Sequence, residues 1–78
     1  MNWQDYIEQR PDVMMGKPVF KGTRLTVEQI LDRLGAGVPE SDLFTSFPRL
    51  RPEHLRAAQA FAAALLRDDQ TIFARPLG

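Results

Sequence analysis

The sequence GKPVFKGTRLTV, residues 16–27, determines the fold that we predict for this chain. Val19 and Phe20 favour a β-strand, and a second run of Thr, Leu and Val follows them after a connection that ends in glycine. Gly22 can adopt the positive φ that a tight turn requires, and Pro18 can begin a strand without removing a needed donor. The stretch therefore predicts a β-hairpin with a two-residue connection that ends in Gly22.

The residues after the hairpin carry the signals of two helices. Thr26 is a favourable N-cap for the first helix, and Gln29 three residues later completes a capping-box pattern. The apolar residues of this helix recur at helical spacing and form one stripe: Val27, Ile30, Leu31 and Leu34. A shorter second helix is predicted over residues 39–46, since proline suits its first position and Pro48 ends it.

A third, longer helix is predicted from Pro52 to about Arg67. On a helical wheel one side collects apolar residues that we expect to face the core: Leu55, Ala58, Ala62, Leu65 and Leu66. The opposite side is rich in alanine and comprises Glu53, Arg56, Ala57, Ala60, Ala63, Ala64 and Arg67. Because alanine favours helix and also lets another backbone approach closely, this side is either a solvated face or a packing surface.

Together these segments predict one domain over residues 1–78, of the α+β class and mainly α. An extended arm and the β-hairpin occupy residues 1–26, a three-helix bundle occupies residues 27–67, and an extended tail occupies residues 68–78. A chain of 78 residues has a marginal core, and the absence of cysteine excludes disulfides as a supplement. We therefore expect a homodimer that buries the hairpin edge and the alanine-rich side of the third helix.

Composition and charge argue against several functional classes. Ten acidic residues balance ten basic residues, which counts against a domain dedicated to strong, autonomous nucleic-acid binding. The opening sequence MNWQD has neither the basic nor the apolar region of a signal peptide. No apolar run approaches the roughly 20 residues of a membrane span. We expect a soluble, cytoplasmic protein without membrane contacts.

The chain offers little for catalysis or metal binding. It contains one histidine, His54, and no cysteine, so a nucleophile–base pair would have to be built around that single imidazole, and the chain offers no zinc ligand set. The tripeptide at residues 16–18 lacks the Ser or Thr of a phosphate-binding loop. We therefore expect no enzymatic activity, no cofactor and no small-molecule substrate. His54 is expected to be a partly buried structural residue.

The predicted second and third helices, joined by a short turn, resemble a helix-turn-helix unit. In such a unit the front of the third helix enters the major groove of DNA, and its exposed residues there are Glu53, Arg56 and Ala57. The candidate DNA contacts are Arg49, Arg51 and Arg56, since arginine binds both phosphate and guanine. A helical bundle with a charged rim and no DNA ligand is the alternative that the sequence leaves open.

The central stretch also resembles the signature of a bacterial family, domain-of-unknown-function family 433, whose members look like VapB-type antitoxins. The resemblance rests on the signature-hairpin residues Gly16, Lys17, Pro18, Lys21, Gly22, Thr23 and Arg24. It implies a homeodomain-like or winged helix-turn-helix fold. It also implies a protein that neutralises a PIN-like ribonuclease toxin and, as a dimer, represses the shared operon by binding operator DNA. A stand-alone DNA-binding regulator and a protein-interaction module that never contacts DNA are the other functions left open.

The last residues differ in composition, and the resemblance implies a role for them. PIN-like ribonucleases hold divalent metal with clustered carboxylates, so a cation delivered into that cluster would inhibit by replacing the charge of the metal. Arg75 suits this task because its guanidinium binds a carboxylate bidentately, while Ile72 and Phe73 are suited to anchor the segment in an apolar groove of the partner. A disordered terminus without a binding role is the alternative.

Overall fold

The computed structural model describes residues 1–68. Its strands and α-helices are β1 (Ile7–Glu8), β2 (Val19–Phe20), α1 (Val27–Gly35), α2 (Glu40–Ser46) and α3 (Pro52–Asp68). Short 3-10 turns at Trp3–Asp5 and Met14–Gly16 interrupt the arm that the sequence predicts to be extended. Helices dominate, so the predicted α+β, mainly α class is confirmed, while the homeodomain-like or winged type stays a prediction. The predicted partner contacts Ile72, Phe73 and Arg75 lie outside the described residues.

Strand β2 is bonded on both of its sides. On one side it pairs antiparallel with β1, with Ile7 opposite Phe20. On the other side the amide of Phe20 donates to the carbonyl of Leu25 at 3.0 Å, and Val19 forms an antiparallel bridge with Thr26. Because both sides of β2 are satisfied within the chain, this strand is not the free edge that the predicted dimer was expected to bury.

The hairpin prediction is confirmed for the strand at Val19–Phe20, but the predicted second strand is reduced to one bridge at Thr26 and the connection is longer than predicted. Residues 21–24 separate Phe20 from Leu25, where the sequence pattern predicts two residues. The hydroxyl of Thr23 donates to the carbonyl of Phe20 at 2.8 Å and accepts from the amide of Leu25 at 3.0 Å. This side chain closes a loop wider than a two-residue turn. Gly22 has a φ of +76°, as its predicted role requires.

The ends of α1 and α2 follow from local chemistry. The hydroxyl of Thr26 accepts from the amide of Gln29 at 3.1 Å, which confirms the predicted N-cap of α1. The chain leaves α1 through Gly37, whose φ is +86°. Helix α2 begins after Pro39 and has no side-chain cap, so its position depends on the burial of Leu43 in the core. No helix among residues 1–68 is both long and apolar enough to cross a membrane.

The core lies between the two short strands, α1 and one side of α3. Its largest fully buried side chains are Phe20, Ile30, Leu43, Leu55, Val19 and Val27. The arm contributes as well, because the ring of Trp3 packs edge-on against Phe61 with the ring centroids 4.8 Å apart. The arm is therefore part of the core that supports the helices.

The buried side of α3 differs from the predicted one. Ala57, which the helical wheel places on the opposite side, is fully buried, and Phe61 joins it in the core. Leu65 and Leu66, predicted to face the core, are 54% and 49% exposed. Helix α3 has 17 residues against nine in α1, and the other elements leave Leu65 and Leu66 in its last turns partly uncovered.

The N-cap of α1 provides a test of this fold with a matched control. Replacing Thr26 by Ala removes the acceptor of the Gln29 amide, and we expect the free energy of unfolding to fall by about 1 kcal/mol. Thr45→Ala changes the same atoms at an exposed position inside α2, where alanine is the better helix former, and should leave stability nearly unchanged. Urea denaturation at one protein concentration measures both variants. Equal losses for the two would contradict the capping role.

Candidate nucleic-acid interface

The turn between α2 and α3 is anchored in the core by one buried residue, while neighbouring residues of the turn are exposed to solvent. The amide of Leu50 donates to the carbonyl of Phe47 at 2.8 Å, and the Leu50 side chain is buried. Pro48 and Arg49, between these two residues, are exposed. The turn therefore presents Arg49 at the surface, immediately ahead of α3.

Arg49 connects this turn to residues 21–24, which we call the signature loop. Its Nη1 atom donates to the carbonyl oxygen of Gly22 at 3.0 Å, a contact that spans 27 residues of sequence. A guanidinium carries five N–H donors, so this bond leaves donors of Arg49 available for a ligand. Arg49 is thus able to hold the signature loop and to bind an anion at the same time.

A groove of about 410 Å³ lies where the signature loop, α1 and the α2–α3 turn meet. Its walls are residues 23–25, Gln29 and residues 46–49. Among residues 1–68, Arg24 and Arg49 are the charged residues that line it, and no carboxylate does. We call it the basic groove. Arg24 and Arg49 stand 25 positions apart in the sequence, and no local pattern indicates that they share one surface.

Phe47 forms an aromatic wall of the basic groove and is held by a third arginine. The guanidinium carbon of Arg33 lies 5.1 Å from the centre of the Phe47 ring, within the range of a cation–π contact. The Nη1 atom of Arg33 also lies 3.4 Å from the carbonyl oxygen of Gln29, to which it donates. Gln29 is predicted from sequence only as part of the capping box of α1, and no sequence pattern indicates that Phe47 and Gln29 share this surface.

The start of α3 is capped by a histidine. The amide of Arg51 donates to Nδ1 of His54 at 2.9 Å, and the amide of His54 donates to the carbonyl of Arg51 at 2.9 Å. Glu or Gln commonly provides this reciprocal bond, and here the imidazole provides it. Because Nδ1 accepts, the proton of the neutral ring is on Nε2. The side chain of Arg51 is exposed beside this cap.

His54 is half-buried between two aromatic rings, in agreement with its predicted structural role. The rings of Phe20 and Tyr6 meet it edge-on, with centroid distances of 5.2 Å and 5.8 Å. Burial lowers the pKa of His54 below its ordinary value of 6.5. Glu53 raises this pKa and Arg51 lowers it, both to a smaller extent than burial. The fold therefore favours the neutral imidazole that the cap requires.

The predicted DNA contacts Arg49, Arg51 and Arg56 are all exposed, in the turn before α3 or in its first two turns. The Nη1 atom of Arg56 donates to Oε1 of Gln59 at 3.1 Å, which orients both side chains on the outer side of the helix. Glu53 is exposed on the same stretch and adds a negative charge. This end of α3 therefore combines three cations with one carboxylate.

Several signature residues act on the backbone of the hairpin. Gly16 and Gly22 have φ values of +82° and +76°, in the region that favours glycine. The carbonyl of Pro18 accepts from the amide of Val27 at 3.0 Å, and the hydroxyl of Thr23 closes the signature loop. These residues shape the loop and leave ligand binding to the charged members of the signature.

The three charged signature residues have different surroundings. Lys17 forms an ion pair with Glu28, with 3.0 Å between Nζ and Oε1. Lys21 is exposed in the signature loop. Arg24 is exposed and lines the basic groove, and no Asp or Glu among residues 1–68 lies within ion-pairing distance of it. Arg24 is therefore the signature cation that is best placed to meet a ligand.

The lowered pKa of His54 predicts a pH-dependent stability. The folded pKa lies below the unfolded value, so the unfolded state binds more protons and stability decreases as pH falls through and below 6.5. His54→Gln keeps an acceptor for the Arg51 amide and removes the titrating group. As pH decreases, we expect the free energy of unfolding of the natural protein to fall relative to that of His54→Gln. The difference should stop growing once the pH is below the pKa of His54 in the folded protein.

Urea denaturation at a series of pH values between roughly 8 and 5 measures this difference. The carboxylates titrate in both proteins and cancel in the comparison. Parallel stability curves would contradict the assignment of a neutral, capping His54.

Comparison with known proteins shows what this fold and sequence are similar to. The family described as "Protein of unknown function (DUF433)" matches residues 7–62, from β1 into the second half of α3. The uncharacterized protein y4eO of Sinorhizobium fredii (strain NBRC 101917 / NGR234) is 30% identical over 61 residues, which cover 78% of this chain and 28% of that relative. No solved structure matches. Because the family match covers most of the chain, the protein belongs to the family of proteins of unknown function DUF433.

Proposed function

We propose that this protein is antitoxin-like: a cytoplasmic, non-enzymatic protein that neutralises a PIN-like ribonuclease and represses their shared operon by binding DNA. The observation that carries the DNA-binding part is the surface around the front of α3. Arg49, Arg51 and Arg56 are exposed there, and Arg49 is fixed to the signature loop by its bond to Gly22. The antitoxin part is supported by the resemblance of the signature.

The arrangement fits a helix-turn-helix mode of binding. The buried Leu50 anchors the turn, so the first turns of α3 project their outer residues at a fixed angle. Arg56 and Gln59 on that side carry the donor groups that arginine and glutamine use to read guanine and adenine. Arg49 and Arg51 are suited to phosphate, whereas Glu53 repels it. Few phosphates are neutralised, so we expect a shallow dependence of affinity on salt.

We further propose that the protein acts as a homodimer, since two copies double the small set of DNA contacts. The interface predicted from sequence needs revision, because β2 has no free side and Ala57 is buried in its own core. Leu65 and Leu66 remain 54% and 49% exposed near the end of α3. A second copy packed against this end of α3 would cover both leucines. If the two copies are related by a two-fold axis, the Leu65–Leu66 pair of each copy is buried in the same interface.

A protein-interaction module that never binds DNA is the second candidate. The balance of ten acidic and ten basic residues and the two exposed leucines of α3 favour it. The two candidates differ in one measurable property. An interaction module inhibits the nuclease without retarding any DNA, whereas the proposed antitoxin does both.

The DNA contacts are tested by a gel-shift assay with the duplex upstream of the gene. Replacing Arg49, Arg51 and Arg56 together by Ala should abolish the shift and leave the core folded, since all three side chains are exposed, although it also removes the Arg49–Gly22 bond. The double variant Arg51→Ala, Arg56→Ala keeps the Arg49–Gly22 bond and should already weaken binding strongly.

Arg10→Ala serves as the control, because it removes one equal charge from the arm, where Glu8 and Asp12 flank it. It should bind DNA as the natural protein does. Undiminished binding by the triple variant would move the DNA contact away from α3, with Lys17, Lys21 and Arg24 as the next candidates.

The nuclease contact is tested by removing the tail. A chain that ends at Arg67 keeps the core and both exposed leucines, so we expect it to sediment as a dimer like the full chain. It lacks Ile72, Phe73 and Arg75 and should fail to inhibit a PIN-like ribonuclease encoded beside it. Arg75→Ala in the full chain should lose inhibition to a similar extent, on the order of 2–5 kcal/mol of binding free energy.

Inhibition by the truncated chain equal to that of the full chain would place the inhibitory surface on residues 1–67. A monomer at tens of micromolar, with no partner present, would overturn the proposed homodimer.

A further inference from the structure

We propose that the basic groove binds a phosphate group of the DNA backbone through Arg24 and Arg49, in addition to the contacts on α3. This inference rests on the proposed DNA binding. It assigns a ligand-binding role to Arg24 and makes the signature loop part of the interface. Arg24 and Arg49 then bind phosphate, whereas the role that we propose for Arg56 is contact with the bases.

The positive charge of the groove is complementary to an anion. Two arginines line it, and no carboxylate among residues 1–68 does. The ion pairs formed among residues 1–68 use Arg10 and Lys17, so neither Arg24 nor Arg49 is neutralised by a carboxylate of that part of the chain. Cations gathered in one concave surface raise the local potential and attract a phosphate, which guanidinium groups bind with two parallel hydrogen bonds.

The uncharged residues that line the groove are suited to contact the sugar next to the bound phosphate. Leu25, Phe47 and Pro48 are apolar, and Gln29 and Ser46 add polar side chains. A backbone unit of DNA consists of an apolar deoxyribose ring next to a charged phosphate, so it can place each part against a matching wall. The volume of about 410 Å³ lies within the range of small-ligand sites, ~300–1,000 Å³.

The position of the groove ties it to α3. Arg49 lies at once in the groove wall and in the turn that leads into α3. In helix-turn-helix complexes the residues beside this turn meet the DNA strand that borders the occupied major groove. Contacts to phosphate position the protein and carry no sequence information. We therefore expect Arg24 to raise the affinity for every duplex equally, whereas Arg56 discriminates between sequences.

The experiment uses the full chain, the duplex upstream of the gene and an unrelated duplex of the same length. Fluorescence anisotropy gives the dissociation constant of each at a series of salt concentrations. Arg24→Gln removes a charge that makes no hydrogen bond to residues 1–68, so its melting temperature should match that of the natural protein. Arg10→Gln is the control for one lost positive charge.

We expect Arg24→Gln to weaken binding to both duplexes on the order of tenfold at 0.1 M salt, and to lower the slope of log affinity against log salt by about 0.9, the value for one phosphate contact. Arg10→Gln should leave the slope unchanged. If Arg24→Gln also leaves it unchanged while the α3 variants abolish binding, the groove does not contact DNA and the proposed function stands.

A second experiment determines whether the phosphate that the groove binds belongs to DNA or to a free nucleotide. Titration with AMP is followed by the NMR signals of the Arg24 and Arg49 side chains. If no duplex binds but AMP shifts the Arg49 signals in the natural protein and not in Arg24→Gln, the groove is a phosphate site and the proposed DNA binding is wrong. No shift with AMP and no effect of Arg24→Gln on any duplex would overturn the inference.

Discussion

The two-sided pairing of β2 is the interaction on which the rest of this structure depends. The strand is two residues long, and it is bonded to β1 on one side and to the segment that enters α1 on the other. A strand of this length has no stability of its own. It persists because Val19 and Phe20 are almost completely buried, at 0% and 1% exposure. The arm, the signature loop and α1 are therefore held in place together by one buried pair of side chains.

This dependence extends to the candidate interface. The signature loop leaves β2 and returns to α1, and Arg49 bonds the α2–α3 turn to that loop through Gly22. The family signature is thus mainly a structural element, since its glycines, Pro18 and Thr23 shape the backbone. Arg24 is the charged signature residue that lines the basic groove, and the arginines around α3 lie outside the signature.

The net charge of zero conceals an uneven distribution of charge. Arg10 and Lys17 are paired with carboxylates, while Arg24 and Arg49 share a groove that no carboxylate of the described part of the chain lines. The field at a surface depends on the charges nearest to it, because salt screens more distant ones within about 10 Å at 0.1 M. A balanced composition therefore does not exclude a local anion-binding surface, although it limits how many phosphates one copy can neutralise.

The sequence by itself determined those features that arise from bonds between near neighbours. The Thr26 cap, the start of α3 at Pro52 and the positive φ of Gly22 each depend on residues a few positions away. The family match over residues 7–62 agrees with the resemblance drawn from the signature. These features were predictable because local hydrogen bonding and backbone sterics act in the same way in any fold.

Only the tertiary structure decided which surfaces remain exposed. Periodicity shows which residues of α3 share a side, but Ala57 became buried and Leu65 exposed because of what the neighbouring elements cover. The basic groove likewise needs Arg24 and Arg49 brought together from 25 positions apart. Burial and the proximity of distant residues depend on how the whole chain packs, and no short stretch of sequence encodes that packing. The physical reason is that burial is a property of the assembled core, whereas caps and turns are properties of a few adjacent residues.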